Sequence, residues 1–537
     1  MSDAKELDNS SITRPASKVM LGGILSLAGG LAGNVIIAAV FGAGADMDAF
    51  LTAMVIPAYL QIVFYGSLSF VFIPAFIEAE ANKGDDDAWA LVGTFFWIAA
   101  LVLFCVAIVG SLFSSQIINA VAPGFEEEKS VLASQMLSIL LFTIPLSGLS
   151  TLTVGIQNAR YRFFWPSVAP AFGAFGNVIV LLVFSRYLGP LALCWGYFVS
   201  IAFQAGMTVI PVLLHGWKET LPLSDPRVGS LARLMLPLVF LGLVLSFSPV
   251  AERYFSSTLP DGQIAFMGYA QKVSSIFVLS LASGISTTIF PAMARTYATE
   301  GIQGLSKRND FGLQLTFTVA LPAVMISGAL AVPLTSIFFE RGAFSHSDTI
   351  GVSQILFAFL LSNVLFRMVG NILQRSFYVL NNTTTQPIVD SIFLVLFIAT
   401  ARYFVDRWGY VGLVWAGVAR SGLGIFVLWA LLLAKFPQDN VKNVFLHITK
   451  YFGASLAAYA CARFSLPLFE FLPAFFQVAI SGLLSVSLYG VILYYLDKDM
   501  LFSVLELFGI RYLLSLPLKS KDWLSKKKIS EIVRRGS

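Results

Sequence analysis

Apolar runs of about 20 residues, each closed by glycine, proline or charge, recur along most of the chain. They lie near residues 19–41, 50–77, 88–112, 131–156, 163–185, 187–214, 232–256, 264–294, 311–333, 352–380, 386–405, 410–434, 445–464 and 473–496, and predict about fourteen membrane-spanning helices. Little more than "SRYLG" separates the fifth from the sixth, which predicts a tight hairpin. Residues 500–518, "MLFSVLELFGIRYLLSLPL", are too broken for a span. Followed by a Lys/Arg-rich end, they predict either an interfacial helix on an anionic inner leaflet or a basic tail that only enforces topology. The fold class expected is an all-α polytopic membrane protein.

Composition agrees with that pattern. Hydrophobic residues make up 57% of the 537 and charged ones only 12%, with a mean hydropathy of +0.80, so an ordinary soluble domain is excluded. The few charges report orientation. With the N-terminus inside, roughly 25 of the 35 Lys and Arg fall on the cytoplasmic side and about six outside, which predicts N-in and C-in. The acidic loop "EAEANKGDDD" is also inside in this arrangement, as the weak influence of acidic residues on orientation allows. Cys105, Cys194 and Cys461 stand in apolar runs, and His215, His346 and His447 stand singly, so no disulfide framework and no metal site is expected. No apolar core precedes residue 19, so no cleaved signal is expected.

The chain also resembles itself at a shift of about 220 residues. Ala49–Phe50 is followed 25 positions later by "IPAF" around Pro74, and Ala265–Phe266 is followed 26 positions later by "FPAM" around Pro291. "APGFEEEKSVLASQML" parallels "RGAFSHSDTIGVSQIL" in the same way. Six spans fall in each period, an even number, so the halves share one orientation and predict two six-helix lobes related by a parallel repeat, plus two extra C-terminal helices. The expected layout is a cytoplasmic segment 1–18, an N-lobe 19–214, a linker 215–231, a C-lobe 232–434, two further spans within 445–496, and a basic tail 497–537. Duplicated lobes predict alternating access around an interfacial path; packing alone is the simpler alternative.

The stretch "NVIIAAVFGAGADMDAFLTAMVIPAYLQIVFYGSLSFVFIPAFIE", Asn34 to Glu78, resembles the MviN/MurJ family, with its FGAG turn, D-A-F, I-P, G-x-x-S and P-x-F-x-E elements in order. "GYAQKV", "FERGAFSHSDT" and "RSFYVLNNTTTQP" in the second half look like further family elements. The resemblance implies a fourteen-helix exporter fold that carries an undecaprenyl-pyrophosphate-linked glycan, lipid II or a related lipid-linked oligosaccharide, from the inner to the outer leaflet of the bacterial cytoplasmic membrane. It also implies a groove for the prenyl tail on the last two helices. Where peptidoglycan members of the family place cavity arginines, this chain has Leu27, Gly33, Gln61 and Lys272, and only the last keeps a positive charge.

A pyrophosphate headgroup needs a polar, preferably cationic, passage through hydrocarbon. Lys272 is the best single candidate to supply it: a lysine at the centre of a span costs about 2.5–3.5 kcal/mol unless something offsets it, although snorkelling to the outer interface is open to it. Glu252 and Arg253 stand near the outer end of the seventh span, and a Glu252–Lys272 pair would leave Arg253 free for phosphate. Arg367, deep in the tenth span, joins them, with Arg420 a weaker candidate. Asp48, at the start of the second span, is expected to cap that helix or to bind a coupling ion. Gly29, Gly30 and Gly33 thin the first span, for close packing or for a bend that opens a lateral gate. Prolines such as Pro57, Pro145, Pro211 and Pro291 predict kinks.

No catalytic residues and no cofactor are expected; membrane potential, Na⁺ or H⁺ could drive the cycle. The expected partners are the lipid-linked glycan, membrane lipids and cell-envelope synthesis enzymes, with no nucleic acid. A multidrug or cation exporter of the same superfamily is the nearest alternative, but such exporters usually have twelve spans and carboxylates deep in the cavity. A membrane glycan polymerase or ligase would need a catalytic constellation on a sizeable outer loop, and the outer loops here are short.

Overall fold

The computed structural model describes the backbone of residues 9–214, 226–437 and 439–507, and the side chains of these apart from 9–21, 67, 69–70, 226, 279–280, 282–288 and 439–444. His215, most of the expected linker and the chain beyond 507 lie outside the described residues.

All regular structure among these residues is helical. The first half comprises α1 (Asn9–Phe41), α2 (Ala45–Lys83), α3 (Asp85–Leu112), α4 (Ser114–Val121), α5 (Glu127–Leu140), α6 (Thr143–Ala159), α7 (Phe164–Leu188) and α8 (Leu191–Leu214). The second comprises α9 (Pro226–Leu245), α10 (Ser248–Ser256), α11 (Gln263–Ala329), α12 (Ala331–Phe339), α13 (His346–Leu360), a π-helical turn (Leu361–Phe366), α14 (Arg367–Val379) and α15 (Thr385–Leu433). Then follow α16 (Asp439–Ser465), α17 (Ala474–Leu496) and α18 (Lys498–Leu507).

Twelve helical segments among the described residues are long and apolar enough to cross a membrane, against the fourteen expected. The two counts part at α11, where the counted span begins at Ile289, beyond the side chains outside the described residues, and at α15, counted once; each run turns through a glycine outside helical geometry, Gly301 (φ +65) and Gly409 (φ +58). Only glycine takes such a backbone cheaply, so the chain reverses there with no intervening loop. The expected hairpin at "SRYLG" is a similar turn, through Gly189 (φ +55) between α7 and α8. The fourth expected span is two helices that meet at Leu141–Phe142, and Pro145 occupies the first turn of the second, where its missing N–H costs no helical bond, rather than a kink. The seventh is likewise broken at Ser246–Phe247.

The first half packs mainly on itself, α1 on α7, α7 on α8, and α2 on α5 and α6. The long α11 organises the second half, lying against α13, α14 and α16. α17 leans on α11, where the buried Tyr489 hydroxyl donates to the Thr318 carbonyl at 2.8 Å. Between the halves, α2 touches α9, α10 and α11, and α1 touches α12. Outward-facing Leu101, Leu182, Phe240 and Phe426, each more than 60% exposed, give the bundle an exterior suited to lipid rather than water.

Candidate functional site

The halves are sealed against each other at one end. There Asp48, wholly buried, does not cap its own helix: α2 starts at Gly44 with no side-chain cap. Its carboxylate instead accepts the backbone N–H of Gly262 (2.8 Å) and of Ala265 (2.7 Å), so it caps α11 in the opposite half. Lys129 of α5 donates to the same carboxylate at 3.0 Å and to Asp261 at 2.7 Å. The cap expected on Asp48's own helix is therefore absent; the carboxylate caps α11 instead, because the start of α11 lies against it across the two halves.

Two contacts around this cluster are copies of one another. Gly342 (φ +61) lies so close to α1 that a Cβ would stand 2.2 Å from the Ala39 carbonyl oxygen, to which the Ala343 N–H donates at 2.8 Å. Gly124 likewise lies against Ser257, less tightly: a Cβ would meet the carbonyl at 2.8 Å, and its N–H donates to Ser257 Oγ at 3.1 Å. The alignment that lays Phe125 on Phe344, a shift of 219, carries Gly124 onto Ala343, the neighbour of Gly342, and Ala39 onto Thr258, the neighbour of Ser257. The seal is therefore built twice, once from each repeat, about a shared axis. Tyr269 of α11 completes it, its hydroxyl donating to the Gly42 carbonyl at 2.8 Å and its buried ring packed on Phe339 and Phe344. At the rim, burial opposes ionisation of Glu340, but hydrogen bonds from Thr349, His346 and Ser336 outweigh it and hold the carboxyl below its usual range.

Beneath the seal stand the candidate cations. Lys272 projects from α11 less than one turn from Tyr269, with its ammonium 5.4 Å from that ring. No carboxylate among the described residues comes within 4.0 Å of it, so the expected Glu252–Lys272 pair is not formed. The acidic neighbours of Arg253 are Glu252 and Asp48, and those of Arg420 are Glu252 and Asp390. Glu252 thus feels two guanidiniums through space without an ion pair to either among the described residues, α10 being packed on α15. Arg253 Nε and Nη1 are buried with no hydrogen-bond partner. Arg367 lies apart from Lys272 in a polar cavity of about 450 Å³ that it shares with Asp390 and Arg420. On the first-half side, Gln61 donates to Thr143 Oγ1 at 3.2 Å, so an uncharged polar group stands there.

Gly29 and Gly33 face α7: a Cβ on Gly29 would lie 2.9 Å from Ala174 Cβ, and one on Gly33 would lie 3.7 Å from Asn177 Nδ2. Gly30 faces open space, and α1 runs unbroken through all three. Lys129, Tyr269 and Asp390 were not among the residues expected from the sequence. For Lys129 and Tyr269 the only signal was proximity to repeat motifs; for Asp390 it was a carboxylate inside a span.

Two helical halves sealed at one end, with Lys272 below the seal, make a multi-pass membrane protein. A family model described as lipid II flippase MurJ matches residues 37–488, which makes it a membrane transporter rather than an enzyme. The chain belongs to the MurJ family, whose place is the bacterial inner membrane. It is 27% identical over 402 residues to lipid II flippase MurJ of Burkholderia cenocepacia, covering 73% of this chain and 78% of that one. It is 26% identical over 492 residues to a probable lipid II flippase MurJ of Buchnera aphidicola, covering 90% and 92%. Among solved structures, lipid II flippase MurJ in an inward closed conformation superposes with a TM-score of 0.75 at 21% identity, over 91% of this chain and 99% of that one. An inward-facing multidrug transporter of the MATE family shares the fold with a TM-score of 0.63 at 13% identity, over 77% and 98%.

Proposed function

We propose that this chain carries an undecaprenyl-pyrophosphate-linked glycan, lipid II or a close relative, from the inner to the outer leaflet by alternating access between two six-helix lobes. The observation that carries the reading is Lys272, a lysine within a membrane helix, without an ion-pair partner and less than one turn from the residue that bonds the two halves together. An unpaired intramembrane ammonium is costly, and an anionic headgroup is the ligand that offsets the cost. Arg253 is its companion: its buried Nε and Nη1 have no hydrogen-bond partner among the described residues, and Glu252 and Asp48 act on it only through space. A headgroup that engages Arg253 brings its negative charge toward the Asp48 carboxylate, and that repulsion loosens the cap on α11 and with it the seal. After release, the Asp48 carboxylate again caps α11 and the seal re-forms.

In this reading the N- and C-termini are cytoplasmic, the seal faces outward, and α16 and α17 guide the prenyl tail. Gly29, Gly30 and Gly33 let α1 bend as the gate opens. A membrane potential of 100 mV contributes about 2.3 kcal/mol per charge moved, enough to bias the cycle, with Na⁺ or H⁺ the alternative drivers. Cell-envelope synthesis enzymes supply and consume the lipid. Complementation tests the proposal: cells depleted of their own lipid II flippase should grow when they express this chain and not when they express Lys272→Ala. Equal growth with both, at equal membrane levels, removes Lys272 from the mechanism; no growth with either excludes lipid II as the cargo.

A further inference from the structure

The cavity shared by Arg367, Arg420 and Asp390 is a polar space in the second half that the passage of a phosphate does not account for. At about 450 Å³ it falls within the range of small-ligand sites. Two departures from regular helix wall it: the break between α9 and α10, reached by Leu245 and Ser248, and the π-helical turn Leu361–Phe366, which supplies Ser362 and Asn363. Irregular backbone at membrane depth persists where it lines a polar cavity, and π-turns gather at functional sites.

The lining has bonding capacity to spare. Among the described residues, Gln386 Oε1 is buried with no partner, and neither Arg367 nor Asn371 forms a hydrogen bond or ion pair. Its chemistry is mixed, with two guanidiniums, one carboxylate, three carboxamides and several hydroxyls beside Phe366 and Phe393. A pyrophosphate site would not place the Asp390 carboxylate against its ligand, because like charges repel strongly where water is scarce. A sugar uses the whole set. Its hydroxyls donate to Asp390 and accept from arginine, an N-acyl group pairs with carboxamides that both donate and accept, and its apolar ring face lies on phenyl rings. The cavity also adjoins the cation site, since Asn363 donates to Ser274 Oγ at 2.9 Å, two residues from Lys272.

We infer that this cavity is a glycan subsite, in which the sugar of the lipid-linked cargo is held while its pyrophosphate is met by Lys272 and Arg253; the inference rests on the function proposed above. Arg367 is thereby a sugar-binding residue rather than part of the phosphate passage. Two measurements on the full chain in lipid nanodiscs and proteoliposomes test it, with Asp390→Asn and Asn371→Ala each checked for folding by thermal melting, so that either variant suffices. In saturation-transfer NMR the soluble disaccharide diacetylchitobiose should contact the wild-type protein, and both variants should bind it at least tenfold more weakly. In proteoliposomes the ratio of disaccharide-bearing to sugar-free undecaprenyl pyrophosphate translocated should fall at least tenfold in both. Disaccharide binding that is absent from the wild type or unchanged in folded variants overturns the inference. So does weakened binding of inorganic pyrophosphate together with an unchanged translocation ratio, which would make the cavity a headgroup site. If the wild type moves neither lipid, the proposed function fails, and the NMR result still decides the subsite.

Discussion

Replacing Asp48 with alanine deletes one carboxylate that serves both halves of the molecule. Two backbone N–H groups, of Gly262 and Ala265, lose their acceptor, while Lys129 keeps Asp261 at 2.7 Å. A hydrogen bond to a charged group contributes about 1.5–3 kcal/mol, which puts the loss at about 3–6 kcal/mol if both donors stay dry. Polar contacts measured inside membranes are weaker, averaging about 0.6 kcal/mol each, because the opened state finds other partners. Since this cluster lies at the end of the bundle, where water can reach the freed groups, about 3 kcal/mol is the working figure. That is a shift of roughly a hundredfold in the balance between sealed and opened states, at 1.4 kcal/mol per factor of ten. Asp48→Asn keeps one oxygen acceptor and should show about half the effect. The assay is pulsed electron resonance between spin labels at Glu127 and Ser347, exposed positions in opposite halves, in a background without Cys105, Cys194 and Cys461. The alanine variant should populate longer distances absent from the wild type. Identical distance distributions in a folded Asp48→Ala protein would refute the cross-cap as a determinant of closure.

Lys272→Ala should lower translocation at least tenfold in proteoliposomes, and Lys272→Arg should restore most of it, since either cation can meet a phosphate. Gly342→Ala places a Cβ against the Ala39 carbonyl at a positive φ and should weaken the seal by about 1–3 kcal/mol, read as longer label distances; the same change at Gly44, which has open space, should leave them unaltered. Gly30→Ala meets no atom within 4 Å, so if α1 must bend, this variant should slow transport without lowering the melting temperature. Glu340 has a depressed pKa, so its bonds to Thr349 and His346 add stability that is fully present above the usual carboxylate value of 4.5 and is lost as pH falls through the lower folded value. Melting temperature scanned from pH 6 to pH 3 should therefore drop more steeply in the wild type than in Glu340→Gln.

How much of the site was legible in the sequence depends on the range of each interaction. Lys272 was legible alone, because a lysine inside an apolar run is anomalous whatever surrounds it. The duplicated seal was half legible: Gly124 and Gly342 sit in the parallel motifs "APGF" and "RGAF", but neither motif says that its glycine touches the other half. The partner of Glu252 was misjudged by assuming that sequential helices pair, whereas α10 packs on α15, more than a hundred residues further on. The glycan cavity was not legible, since its lining comes from four helices and is completed by a π-turn that no local pattern announces.

Hydrophobic run length, charge placement and the repeat by themselves determined an all-helical membrane protein in two like-oriented halves, because those constraints are imposed by the bilayer on each segment separately. The tertiary structure alone decided which helix Asp48 caps, that Lys272 has no ion-pair partner among the described residues, and that Arg367 shares a cavity with Asp390. Those are properties of groups more than one helix apart, and their energies depend on distances of a few ångströms that only the packing of the two halves sets.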